Sequence, residues 1–199
     1  MKFDRAELED MVQRWEAAGQ KAEEAADWAT HLAPFYAPDA RCRVCIGAGE
    51  VYEARGREEI AAGLLGEEMD GFEGWTYPFE RVVIDDTRGA VSIYWRQVSP
   101  FRRPDGTPYA VCGLGNSYFV YGGDFQWASQ EDMFDLGQVT ALIMELAADG
   151  HLVPPLTGRL KKMARGHRPR GYFKQEYALS VAAKARAYIA LGRIALVGR

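Results

Sequence analysis

Cysteine and histidine are scarce, three of each in 199 residues, and their scarcity removes several chemistries at once. There is no His-x-His, no His-Glu-x-x-His and no recurring paired-cysteine spacing, so the sequence offers no ligand set for a metal. The single Cys-x-x-Cys, Cys42 to Cys45, falls in an extended run from Arg41 to Ile46, where positions three apart face opposite sides. Chelation and a disulfide are both awkward there, and a redox thiol would want a helix N-terminus that this run lacks. Buried, reduced thiols are expected instead. Phosphate-binding loops are missing too: no Gly-x-x-x-x-Gly-Lys occurs, and Gly113-Leu114-Gly115 lacks the third glycine and the helix start of a dinucleotide loop. No cofactor is expected. Nor does any apolar run approach the roughly 20 residues that span a bilayer. Met1-Lys2-Phe3-Asp4-Arg5 leads into a charged helical pattern rather than an apolar signal core, which predicts a cytoplasmic protein.

What is present is enough apolar material for a core. The chain is 48% hydrophobic and 12% aromatic, which predicts one domain over residues 1–150 and an appendage over 151–199. The net charge of −4 conceals an asymmetry, because residues 151–199 carry 11 Lys and Arg against the single acid Glu176, whereas residues 1–150 carry 13 basic and 27 acidic residues. A basic tail of this kind docks on its own acidic body or a second copy, or else it contacts nucleic acid or an anionic membrane surface.

Taken in order, Asp4 and Glu7 form a capping-box pattern, and Leu8, Met11, Val12 and Trp15 repeat at helical spacing. Asp27 caps a second helical turn or continuation that contains Trp28, Leu32 and Phe35, and Pro34 and Pro38 end it. Strands are predicted at Arg41 to Ile46 and Glu50 to Ala54, and a helix begins at Gly56 to Ile60. Sheet signals then dominate, with strands at Thr76 to Asp85, Ala90 to Ser99 and Tyr109 to Tyr121, the last bent at Gly113 and Gly115. Asp135 caps a helix from Leu136 to Ala148. Beyond the boundary at Pro154-Pro155, Leu160 to Ala164 is a short basic segment, and Tyr172 to Leu196 reads as one helix with Tyr177, Val181, Tyr188 and Leu191 as apolar positions.

The stretch from Phe125 to Asp135 sets a carboxylate, Asp132, into an otherwise apolar strand. Strict alternation puts Gln126, Ala128, Gln130, Asp132 and Phe134 on one face, and Trp127, Ser129, Glu131 and Met133 on the other. One face would border a pocket and the other a packing surface.

Ala37-Pro38-Asp39-Ala40, Gly56-Arg57-Glu58-Glu59-Ile60 and Glu131-Asp132-Met133-Phe134-Asp135, in this order over roughly residues 5–150, resemble the SnoaL-like branch of the nuclear transport factor 2-like proteins. The resemblance implies an α+β fold, a curved antiparallel sheet wrapped around N-terminal helices as a cone, with the basic helical extension outside it. Related hydrolases that open limonene epoxide pair a last-strand Asp with an Arg-x-Asp. Asp132 and Arg96 match, but Val98 stands at the second acid, so that mechanism is incomplete. Ketosteroid isomerases of this fold carry a general base where this chain has Val44.

Register taken from the resemblance brings Tyr94, Arg96 and Val98 beside Gln130 and Asp132. Arg96 and Asp132 then form either a structural ion pair or a catalytic one, with Tyr94 and Arg96 stabilising developing negative charge. Asn116, Phe134, Trp28 and His31 complete the expected ligand contacts. Ile93, Trp95, Trp127 and Met133 would form an outward apolar face, which predicts a homodimer. Two functions follow: a metal-independent lyase, isomerase or hydrolase for an apolar, oxygenated small molecule, or a non-catalytic dimeric module whose basic tail contacts an acidic partner.

Overall fold

Helix α1 begins where Asp4 accepts a hydrogen bond from the Ala6 amide at 2.9 Å, and it runs Arg5–Ala25. Glu7 does not close the capping box; it accepts from the Tyr121 hydroxyl across the core. Leu8, Met11, Val12, Trp15, Ala18 and Ala22 form its buried stripe, the helical period read from the sequence. Ala26 adopts the left-handed conformation that ends α1, and Asp27 caps the short α2, Trp28–Leu32, by accepting from the Thr30 amide. This computed structural model describes residues 3–45, 50–165, 170–174 and 180–197.

Strands β1 (Tyr36–Cys45) and β2 (Glu50–Arg55) form an antiparallel pair followed by α3 (Arg57–Ala62). After a loop come β3 (Phe79–Asp85) and β4 (Ala90–Trp95), then β5 (Val98–Arg102), β6 (Pro108–Ala110), β7 (Gly115–Gly123) and β8 (Gln126–Met133). With an edge strand β9 (Tyr172–Lys174) from the basic extension, the main sheet among the described residues has seven strands in the order β3-β4-β7-β8-β1-β2-β9. Its neighbours are antiparallel except β1 and β8, which run parallel. Helix α1 and the inner face of this open sheet share one core, in which Trp15 meets Phe119, Trp127 and Tyr36 edge-on at 5.4 to 6.2 Å.

Two strands predicted as continuous are each broken in two. The first breaks at Arg96-Gln97, where β5 leaves to pair with β6 in a separate hairpin. The second breaks at Val111 to Leu114. Gly113 donates to the Gln138 side chain, and a Cβ there would lie 2.9 Å from Gln138, while one on Gly115 would lie 2.3 Å from the Trp95 ring. Both glycines permit close approach. The β5–β6 hairpin packs against α4 (Leu136–Ala148) in a second cluster of Trp75, Tyr109, Val111, Leu142 and Leu146. Asp135 caps α4 as expected.

In the basic extension, Pro154-Pro155 opens α5 (Pro154–Ala164), since a first helical turn needs no proline N–H. The single helix predicted from Tyr172 is instead a strand, β9 (Tyr172–Lys174), on the edge of β2, and a helix, α6 (Val181–Val197). Gly171 at φ 89° lies against Glu53 and the Tyr52 ring, and Tyr52 meets Tyr172 edge-on at 5.5 Å. Those contacts hold the segment extended. Val181, Tyr188 and Leu191, expected to be packing positions, are exposed, and Tyr177 lies outside the described residues. Among the described residues no helix is long and apolar enough to cross a membrane.

Candidate functional site

Between α1, the loop after α3 and the inner face of the sheet lies a cavity of about 190 Å³. Its walls are apolar, with Trp15, Trp28, Leu65, Phe79 and Trp95 among them, and its buried polar groups are Gln130 and Asp132 on β8 and Ser117 on β7. A β-bulge makes this arrangement. Val120 pairs with Ser129 and Tyr121 with Trp127, so Ala128 is the extra residue, and Trp127 joins Gln130 and Asp132 on the inner face.

Asp132 is 8% exposed and receives several oriented donors. The Tyr36 hydroxyl donates to Gln130 Oε1, which turns the Gln130 amide so that Nε2 reaches both Asp132 oxygens at 2.8 and 2.9 Å. From the other side the Ser117 hydroxyl donates to Asp132 and itself accepts from Trp95 Nε1 at 2.9 Å. Burial raises the Asp132 carboxyl, and the bonds from Ser117 and Gln130 pull it back part of the way, leaving it at about 6. Burial also pushes the Tyr36 phenol and the Cys42 thiol well up, with the Asp132 charge adding to both. Both keep their protons, and Asp132 is the group that can exchange one near neutrality.

Along α1 the cavity wall is Trp15, Gly19 and Glu23, one turn apart. Glu23 accepts the Tyr77 amide at 2.7 Å, and partial burial raises its carboxyl. A Cβ on Gly19 would meet nothing within 4 Å. Gly19→Ala should therefore stabilise the protein by about 0.5–1 kcal/mol through helix propensity, read as a higher urea midpoint. Gly19→Leu should fold as well and fill the cavity.

No protein-family model matches the chain, and no curated protein matches its sequence. Solved structures do match. A putative SnoaL-like polyketide cyclase from Jannaschia sp. CCS1 has a TM-score of 0.52 and 19% identity, over 69% of this chain and 92% of that one. The chain has the SnoaL-like, nuclear transport factor 2-like fold. An NTF2-like protein of unknown function from Burkholderia pseudomallei K96243 has a TM-score of 0.49 and 13% identity over 68% of this chain and 96% of its own. A putative polyketide cyclase from Xanthomonas campestris pv. campestris has a TM-score of 0.48 and 17% identity over 70% and 98%.

Within this SnoaL-like cone, Asp132, Gln130 and Trp28 line the cavity, and the other residues expected to form the site do not. Ile93, Ser117 and Asp132 are successive cross-strand partners, so the next residue of β4, Tyr94, falls on the outer face with Asn116 and Met133. Asn116 there donates to the Ser92 hydroxyl and the Ile93 carbonyl. Arg96 does not meet Asp132. It pairs with Glu80 at 2.9 Å and donates to the Cys112 carbonyl. Val98 bridges Thr76 in the small hairpin, and Phe134 and His31 are half-buried away from the cavity lining.

The outward apolar face is corrected in the same way. Ile93 and Trp127 are core, Trp95 lines the cavity, and of the four only Met133, at 48%, is exposed. Ser117, Tyr36 and Gly19 were not read as site residues. Parity along β7 from buried Phe119 would have found Ser117. Tyr36 was hidden behind Pro34 as a helix ending.

Of the thiols, Cys42 is buried, Cys45 intermediate and Cys112 exposed, and all are free. Cys42 and Cys45 face opposite sides of β1, as the extended run requires. Cys45, only half-buried on β1, departs from the buried reading, as does Cys112, exposed in the break between β6 and β7. In the basic extension, Arg170 pairs with Glu59 and Arg159 approaches Glu68, both acids of this chain's own body.

Proposed function

We propose that the cavity binds a small, largely apolar compound and that Asp132 moves a proton to or from it, in a lyase, isomerase or hydrolase reaction on an oxygenated group. One observation carries this reading: a carboxylate poised near 6 by burial stands among oriented donors in an otherwise apolar hollow. Free carboxylates near 4 are weak bases at neutral pH, and moving one toward 6 strengthens it while leaving most of it ionised at pH 7. The size of the cavity bounds the ligand. A 150 Å³ apolar cavity holds benzene, so 190 Å³ suits one ring with short substituents, or that end of a larger molecule.

Charge developing on a substrate oxygen cannot be met by Arg96 or Tyr94 from where they sit. Tyr77 is better placed, since it lines the cavity and, among the described residues, its hydroxyl oxygen receives only a long contact, 3.5 Å, from Gln97. Burial holds its proton firmly, leaving that proton for a ligand oxygen.

Exchange of carbon-bound hydrogen tests the reading without knowledge of the natural substrate. Cyclic ketones in D₂O, followed by NMR, should exchange their α-hydrogens in a saturable reaction whose rate rises through an apparent pKa near 6. Asp132→Asn should slow it by about 100-fold or more while remaining folded. Exchange indifferent to that substitution would remove Asp132 from the chemistry.

A further inference from the structure

The walls of the cavity are uneven in charge. Among the described residues its lining includes two carboxylates, Glu23 and Asp132, and no lysine, arginine or histidine. The indole and phenol rings of Trp15, Trp28, Tyr77 and Trp95 line the same space. Aromatic faces carry negative quadrupole density and attract cations, with Trp the strongest. Carboxylates in a partly desolvated hollow act in the same direction, and they repel anions far more than they would in bulk water.

Glu23 is the less committed of the two acids. One oxygen accepts the Tyr77 amide, and its second oxygen has no partner among the described residues. Asp132, by contrast, is tied on both oxygens by Gln130. The two therefore divide the work: Asp132 serves the reacting end of a ligand and Glu23 is free to serve a charged one.

We infer that the cavity selects a cationic ligand, an apolar ring or short branched skeleton bearing a tertiary or quaternary ammonium group, seated against the tryptophan and tyrosine rings with Glu23 as its counter-ion. The inference rests on the reading above that this cavity takes a small molecule, and it narrows the class of that molecule. Carboxylates, phosphates and other anions are excluded by the same walls.

Three soluble compounds of nearly one shape separate the possibilities: choline, its neutral carbon isostere 3,3-dimethylbutan-1-ol, and the anion 3,3-dimethylbutyrate. Titrations at pH 8 would follow tryptophan fluorescence, since Trp15, Trp28 and Trp95 line the space, with calorimetry for Kd. Choline should bind at least about tenfold more tightly than the alcohol, and the anion most weakly. Glu23→Gln keeps an acceptor for the Tyr77 amide and should cut the preference for choline about threefold or more, leaving the Kd of the alcohol unchanged.

Equal or tighter binding of the alcohol, or a preference for choline unmoved by Glu23→Gln, would overturn the cationic assignment while the small-molecule reading stands. Loss of all three signals in Gly19→Leu would confirm that binding occurs in this cavity. Signals that persist in Gly19→Leu would place the compounds elsewhere and overturn the assignment. No binding by any of the three would overturn both readings.

Discussion

At pH 8 the Asp132→Asn variant should be more stable than the wild type by about 2 kcal/mol, and at pH 3.5 the two should unfold together. The folded carboxyl titrates at about 6 against 3.8 for an unperturbed aspartate, so the native state holds this proton more tightly than the unfolded chain. Stability from this group is fully present below about pH 4 and declines as pH rises toward 6. Above that range the ionised form carries the whole cost, about 3 kcal/mol. Asparagine resembles the neutral acid. Its carbonyl can accept from Gln130 and its amide can donate to the Ser117 oxygen, so the gain falls only somewhat short of the full figure. Urea midpoints between pH 3.5 and 8 would measure it, and parallel curves at all pH values would mean that Asp132 titrates as an ordinary surface acid. A group that weakens the fold where it is ionised, in a cavity it lines, is what a site kept for chemistry looks like.

Removal of the basic extension should cost about 3 kcal/mol or more. Truncation after Gly150 strips buried Leu156 from Gly71, removes the β9 edge from β2 and takes away Arg159 with its contacts to Glu67 and Glu68, and burying one leucine alone is worth about 2 kcal/mol. Arg159 donates to the Glu67 and Glu68 carbonyls and lies 5.0 Å from the Phe72 ring centroid. That segment continues directly from Leu64 and Leu65 and includes Met69, which form one wall of the cavity. The extension thus braces the wall on which a ligand rests. Arg159→Ala isolates the brace and should cost about 1–2 kcal/mol, since the pair with Glu68 is only partly shielded from water. Its penalty should be smaller at pH 5 than at pH 8. Burial raises the Glu68 carboxyl, so without Arg159 this acid takes up a proton as pH falls and sheds its unpaired charge. Equal penalties at both pH values would show that the lost contacts are those of the Arg159 stem and carbonyl bonds alone.

The comparison of sequence with structure divides along physical lines. Helix α1 and the caps at Asp4, Asp27 and Asp135 were legible because each depends on local pattern. Asp132 was found because a carboxylate in an apolar strand is conspicuous by itself. Its partners were not found, for a reason of parity. A bulge at Ala128 and a one-residue difference in the register of β4 exchange inner and outer faces, so Tyr94 and Arg96 were brought inward in place of Ile93, Ser117 and Trp95. Alternation is informative only within an unbroken ladder, and nothing in Trp127-Ala128-Ser129 announces that the ladder breaks. The strand at Tyr172 was missed because its extended form depends on Tyr52, 120 positions earlier, and on no local preference.

The parallel pairing of β1 with β8 also governs when the cavity can come into being. Tyr36 and Gln130 are 94 positions apart, and until β8 has left the ribosome β1 has one bare edge and the floor of the hollow has no carboxylate. Contacts of such long range are slow to form because the intervening loop must close first. A nascent chain released before Gln126, where β8 begins, would contain the apolar wall and lack Gln130 and Asp132, a greasy half-shell with an open seam for chaperones or for a second such chain to cover.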